Sequence, residues 1–307
     1  MTPLPLTYHP DNGTPQFLID ASTLEGQFMK CPRAYYYHAI KKRESSGFPA
    51  GRTFGSILHD HCLAPYYKGE AVNVDAAIAA MPEVMRTGDD YRNAGYLKEL
   101  WQKYVATFPL DLEPFKHDPQ AVELPFTCKI GTLRLIDVHT GEARYVDVIW
   151  TGKIDLPVDW DGTPSPLDHK TSSIGGESVW EQFANSTQQL GYVWTLQQLL
   201  QTPVREFTIN LILTRRSTAK GLGIEFLRRR FPVEPEIVAE FPGHILSNVQ
   251  HLFDCAERNV WPMHTSQCVG KYGRCEYLPV CKACPAQRET TLATGLYTDV
   301  TWSPLKK

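Results

Sequence analysis

The chain is expected to fold as an α/β protein: a mixed β-sheet core flanked by helices, with a helical N-terminal annex and a Cys-rich C-terminal tail. Helical periodicity dominates residues 1–120, short β-branched runs fill much of 121–232, and a last helical segment leads into four cysteines within 17 residues. The three stretches 1–120, 121–232 and 233–307 are expected to close into one compact unit. With 307 residues, 42% hydrophobic and 21% charged, the chain has a globular composition and the material for a sizeable core. Its longest apolar stretches, such as 207–213, fall far short of the roughly 20 residues that span a bilayer. The opening MTPLPLTYHPDNG has neither the basic start nor the apolar run of a signal peptide. A cytoplasmic protein with no membrane partner is therefore expected.

Residues 1–20 read as an irregular lead-in. Ala21–Arg43 is expected to be helical, capped by Ser22 or Thr23, with Leu24, Phe28, Cys31, Tyr35 and Ala39 at helical spacing. A second helix is expected over Thr53–Pro65, carrying His59, and two more over 72–83 and 89–107. Strands follow at Ala121–Cys128, Thr132–Val138 and Arg144–Thr151, the latter two joined by a turn at 139–142. Ile154–Trp160 and Pro166–Thr171 flank Asp161-Gly162-Thr163-Pro164, a strong turn signal. An amphipathic helix over Val179–Gln201, strands at Glu206–Thr214 and Gly223–Phe231, and a helix from Pro235 to Arg258 complete the series.

Chemistry concentrates where Asp155 is followed, after a twelve-residue interval, by Asp168-His169-Lys170. Two adjacent antiparallel strands would bring the two carboxylates together, and carboxylates with nearby carbonyls are what a hard divalent ion needs. Lys170 lies two residues beyond Asp168 and so shares its strand face. From there its ammonium can hold a water aimed at a phosphodiester. The main-chain carbonyl of His169 is a further candidate ligand. His59, on the second helix, offers an imidazole suited to ions such as Mn²⁺. Gln188 and Tyr192, four apart, share a helix face. Glu123 reads as an exposed strand end, with an outer-shell carboxylate role as the alternative.

In this order the motifs resemble the PD-(D/E)xK nuclease superfamily, and within it the RecB-like exonucleases, including CRISPR-associated and phage members. The resemblance runs from about residue 20 to 285. It rests on the Cys31-Pro-Arg-Ala-Tyr helix, the Gly-x-x-x-His ending at His59, the Gly-x-x-Asp ending at Asp155, Asp168-x-Lys170, Gln188-x-x-x-Tyr192, and the Cys-rich tail. It implies a restriction-endonuclease-like fold and Mg²⁺- or Mn²⁺-dependent hydrolysis of DNA phosphodiesters, in recombination, repair or phage DNA processing. His59, Asp155, Asp168 and the His169 carbonyl would hold the ion. Lys170 would act on the attacking water, with Gln188 and Tyr192 supporting DNA contact. Asp168 stands where many members carry Glu. A catalytically inactive DNA-binding scaffold and an RNA-directed nuclease are the competing readings.

Eight cysteines in a chain with no secretory signal point to metal rather than disulfides. The tail spacing is Cys268-x6-Cys275-x5-Cys281-x2-Cys284. The resemblance implies a [4Fe–4S] cluster on Cys31, Cys268, Cys275 and Cys281, with Cys284 as a possible substitute. Its role would be structural, joining chain ends more than 230 residues apart. The family's commoner spacing puts the first two tail cysteines two residues apart, against six here, so a structural Zn²⁺ held by the four tail cysteines stays open, as do free thiols. Cys62, Cys128 and Cys255 read as buried apolar residues.

A net charge of −3 excludes a protein that coats nucleic acid by bulk charge. Phosphate binding would fall to local runs, Lys41–Arg43, Arg215-Arg216 and Arg228–Arg230, each equally readable as a solvated face. Tyr35, Tyr36 and Tyr37 could stack on bases but suit a core better. No Walker-type phosphate loop is present, so a helicase, recombinase or single-strand-binding partner would be a separate chain.

Overall fold

The computed structural model describes residues 2–47, 49–88, 91–137, 140–218, 221–270 and 273–300. Val138 and His139, which fall in an expected strand and turn, and residues 301–307 of the expected tail lie outside the described residues. The chain divides into two compact units, each discontinuous in sequence. One comprises 48–125 and 153–239 and holds His59, Asp155 and Asp168; we call it the site unit. The other comprises 1–47, 126–152 and 240–307 and holds Cys31 and the tail cysteines; we call it the cysteine unit. The sequence boundaries at 120 and 232 do not coincide with this division, because it falls inside continuous elements: the strands Leu124–Ile136 and Ala143–Ile154 and the helix Pro235–Arg258.

The site unit is built on a five-stranded mixed sheet. Its spatial order is Gly221–Pro232, Glu206–Thr218, Thr163–Ser172, Leu156–Trp160 and Lys116–His117. Leu156–Trp160 and Thr163–Ser172 form an antiparallel hairpin with Leu156 opposite Leu167. Its two-residue turn is Asp161-Gly162, both at positive φ (51° and 89°), as a tight hairpin loop demands. Thr163–Ser172 pairs in parallel with Glu206–Thr218, with Asp168 opposite Ile209. A parallel pair needs a long crossover. The expected Val179–Gln201 helix provides it as two helices, Glu177–Ala184 and Thr187–Leu200. The break falls at Ser186, whose extended backbone starts the second helix and whose hydroxyl accepts from the Gln188 N–H.

Helices cover this sheet with Phe54, Leu58, Leu97, Leu100 and Tyr104, which pack in one apolar cluster with Leu156, Leu167 and Ile212. The expected 72–83 and 89–107 helices appear as Val74–Ala80, Glu83–Thr87 and Ala94–Thr107. Asn73 and Asn93 cap the first and last, accepting from the Ala76 and Tyr96 N–H groups at 3.0 and 3.1 Å. The His59 helix runs Ala50–Leu58 and continues as a widened π turn, His59–Leu63, before Ala64–Tyr67. Such turns are frequent where a side chain must be re-aimed at a functional site.

The cysteine unit carries most of a four-stranded sheet ordered Thr7–Tyr8, Pro15–Ile19, Ala143–Ile154, Leu124–Ile136. The two runs expected at 121–128 and 132–138 are thus one strand. The expected Ala21–Arg43 helix is interrupted. Asp20, rather than Ser22 or Thr23, caps its start, accepting from the Thr23 N–H at 2.7 Å. The chain turns extended at Cys31 (φ −165°), because the residue before a proline is driven out of the helical region. Tyr35 and Tyr37 are buried, stacked on Trp261 and packed against Tyr277 respectively, which removes both from any base-stacking role. Among the described residues no helix is long and apolar enough to cross a membrane.

Candidate functional site

Asp155 sits at the bend between Ala143–Ile154 and Leu156–Trp160. The hairpin register carries it toward Asp168, as the spacing of the two residues leads one to expect. Its Oδ2 accepts the His169 backbone N–H at 2.9 Å and lies 3.3 Å from His59 Nε2. The same Nε2 is 3.2 Å from Glu123 Oε1. His59, Glu123 and Asp155 therefore form one group of potential ligands, their donor atoms all within 4.8 Å of one another.

Glu123 corrects the reading of an exposed strand end: its side chain is only 15% exposed, and the Lys153 ammonium closes its outer side. Its backbone holds φ +62°, a conformation costly for a residue with a Cβ, and its N–H donates to the Asp155 carbonyl at 2.9 Å. No spacing rule announces such a residue, because a left-handed turn places it.

Asp168 lies beside Asp155 but turns toward other partners. Its Oδ2 takes the Lys170 ammonium at 2.6 Å and the Gln189 amide Nε2 at 2.5 Å. Lys170 also donates to Gln188 Oε1 at 2.8 Å, and Gln188 Nε2 donates to the Tyr192 hydroxyl at 2.8 Å. The Gln188 and Tyr192 pairing expected from their spacing is therefore present, and its far end is the lysine. Gln189, which the sequence reading passed over, is the added contact. His169 itself gives its amide to Asp155, and its ring Nδ1 lies 2.8 Å from the Asn210 side-chain amide.

The electrostatics divide the two aspartates. Burial alone would raise Asp155, yet the adjacent His59 charge and hydrogen bond hold it well below the usual carboxylate range. Burial, with Asp155's negative charge added, pushes Asp168 up to about 6 against the pull of Lys170. Burial works against a charged His59, but Asp155, Asp60 and Glu123 outweigh it and push the imidazole up to about 10. Carboxylates with separated titrations around a common cavity are a mark of functional sites. With its proton displaced, the His59 nitrogen and two carboxylate oxygens fit a divalent ion: adjacent ligands of an octahedral Mg²⁺ lie about 3.0 Å apart, close to the 3.2 and 3.3 Å found here.

Gly55 makes this approach possible. A Cβ on it, one turn before His59, would meet Thr171 Oγ1 at 2.6 Å, next to Lys170.

Most cations of the basic runs are paired. Arg228 is buried against Glu113, which binds it through both oxygens, with the Phe108 and Phe115 rings alongside. Arg229 pairs with Glu177 and Arg230 with Glu206. Lys41 and Arg43 pair with Glu289 and Asp299. Arg215 faces Glu225 at 3.6 Å, and Arg216 lies over Tyr91.

In the cysteine unit the four thiols favoured above come together. Cys275 and Cys281 are each raised by burial, and each also feels the charges of Cys31 and Cys268. Cys268 accepts the Cys275 N–H through its carbonyl at 2.9 Å. Cys284 is exposed. Of the three cysteines read as buried apolar residues, Cys62 and Cys255 are buried and Cys128 is half-buried.

A family model for the PD-(D/E)XK nuclease superfamily matches residues 21–282. Among solved structures, a protein of Eubacterium rectale described as a proposed exonuclease aligns over 91% of this chain and 93% of its own, at 13% identity and TM-score 0.51, which shows a shared fold. A second, SSO0001, covers 88% of this chain and 86% of its own at 11% identity, with a TM-score of 0.35. No curated protein sequence matches. A match over 21–282, together with a shared fold and a His-Glu-Asp group beside an Asp-x-Lys pair, identifies the chain as a member of the PD-(D/E)XK nuclease superfamily.

Proposed function

We propose that this chain is a Mg²⁺- or Mn²⁺-dependent deoxyribonuclease that hydrolyses DNA from its ends, in the cytoplasm, in recombination, repair or phage DNA processing. One observation carries the reading: His59 Nε2, Glu123 Oε1 and Asp155 Oδ2 converge at ligand spacing. His59, Glu123, Asp155 and Asp168, with the His169 carbonyl, would hold the ion. When bound, it supplies charge to offset what develops on the phosphate and lowers the pKa of water. The chain's own residues do the rest. Lys170 presents its ammonium from a fixed position, tethered by Asp168 at 2.6 Å and Gln188 at 2.8 Å, where it orients the attacking water. Tyr192, itself buried, holds the far side of Gln188 and so supports DNA contact only through it.

The same reading gives Cys31, Cys268, Cys275 and Cys281 a structural [4Fe–4S] cluster rather than zinc, and leaves Cys284 outside it. The nearness of the four thiols and the exposure of Cys284 support this ligand set. Strand separation would come from a helicase, recombinase or single-strand-binding protein on another chain.

The test is digestion of end-labelled linear DNA, circular DNA and RNA by anaerobically purified protein with Mn²⁺. Loss of linear DNA alone, abolished by Lys170→Ala, supports the reading, and a brown sample supports the cluster. If the wild type and Lys170→Ala leave all three substrates equally intact, the enzyme reading fails. Degradation of RNA alone would move the substrate from DNA to RNA.

A further inference from the structure

Two donors converge on the same oxygen of Asp168. The Lys170 ammonium reaches Oδ2 at 2.6 Å and the Gln189 amide at 2.5 Å, so Oδ1 is the oxygen these donors leave over. A carboxylate only accepts, which fixes the end of the amide that faces it. Gln189 is wholly buried, and among the described residues its carbonyl Oε1 has no hydrogen-bond partner. An apolar side chain of the same length would fill this space without an orphaned acceptor, so core filling does not explain a glutamine here. Its contact with Asp168 does. Adjacent helical residues diverge by about 100°, so Gln188 and Gln189 reach different targets from one turn, Lys170 and Asp168 respectively.

We propose that Gln189 is a positioning residue for the metal centre. By holding Oδ2 together with Lys170, it fixes the rotation of the Asp168 carboxylate and presents Oδ1 to the divalent cation. The role rests on the reading above that Asp168 serves that cation. Gln189 acts through Asp168 and touches neither substrate nor ion.

The experiment is Mn²⁺ binding to the full chain, followed by the paramagnetic resonance of free Mn²⁺, for wild type, Asp155→Asn and Gln189→Met. Each protein is also melted in EDTA. Wild type binds, Asp155→Asn does not, and Gln189→Met binds about 10–100-fold more weakly, as expected for loss of an outer-shell partner, while melting no lower than wild type. Excess Mn²⁺ restores Gln189→Met cleavage, which a loosened core would not allow. Gln189→Leu repeats the test should Met pack poorly. Wild-type affinity in a folded Met or Leu variant overturns the role of Gln189 alone. Unfolding of both assigns the residue to the core and overturns it equally. Absence of Asp155-dependent binding in the wild type overturns the metal reading itself, and this role with it.

Discussion

Glu123 and Gly55 are the residues whose chemistry depends most on where the backbone goes. Glu123 reaches His59 only because its own φ is +62°, strain that the surrounding fold must offset. Glu123→Gln keeps the size and removes the charge. It is expected to weaken Mn²⁺ binding by at least the roughly 10–100-fold typical of losing a neighbour of a metal site, measured by titration of the folded variant. Gly55 permits the His59 helix to lie against Thr171. Gly55→Ala gains helix propensity of about 1 kcal/mol but forces the helix away from the strand that carries Asp168 and Lys170. Cleavage is therefore expected to fall by about tenfold or more, since small misplacements of reacting groups are costly. Adding Thr171→Ala removes the clashing hydroxyl and should recover most of that loss; no recovery would show that the close approach is not what Gly55 serves.

Element boundaries followed local rules wherever a cap or a proline acted alone. The turn expected over Asp161–Pro164 tightened to Asp161-Gly162, with Thr163 and Pro164 already paired, and Pro32 ended a helix that periodicity alone had carried through. Ser186 cuts one expected helix into two, and Ser186→Ala should cost about 1 kcal/mol of unfolding free energy by denaturant titration. The Arg228–Arg230 run is the clearest case of composition misleading. Alternation along a strand sends successive arginines to opposite faces, and Arg228 lands in the interior, 10% exposed against a Glu113 that is 1% exposed. Arg228→Met leaves that carboxylate buried and unpaired, so a loss of about 3–5 kcal/mol is expected. Changing Glu113→Gln as well should return much of it, and a double variant as unstable as the single would argue against a charge effect.

At the scale of the whole molecule, the two units divide the chain's chemistry. The nuclease group lies in one and the cysteines in the other. Cys275→Ser is expected to give a colourless protein whose melting temperature drops by roughly 5 °C or more, several kcal/mol of lost stability for a chain of this size. Cys284→Ser, at an exposed position, should keep both the colour and the melting temperature. Equal effects in the two variants would redraw the ligand set.

The superfamily and the mixed sheet were legible in the sequence, which also named most residues of the candidate site. Asp168 with Lys170 and Gln188 with Tyr192 are read from short spacings on one strand and one helix, which local geometry turns into shared faces, while His59 and Asp155 are picked out by the order of motifs that the superfamily shares. Only the tertiary structure decided the rest. Glu123 joins His59 and Asp155 through a left-handed turn, Gln189 reaches Asp168 from an adjacent element, and Arg228 is withdrawn into a buried pair. Each depends on contacts between residues distant in the chain and on packing, which no local pattern encodes. The division of the chain into interleaved units has the same origin: long strands and one long helix carry the backbone from one unit to the other, so the boundaries lie inside elements that sequence alone reads as continuous.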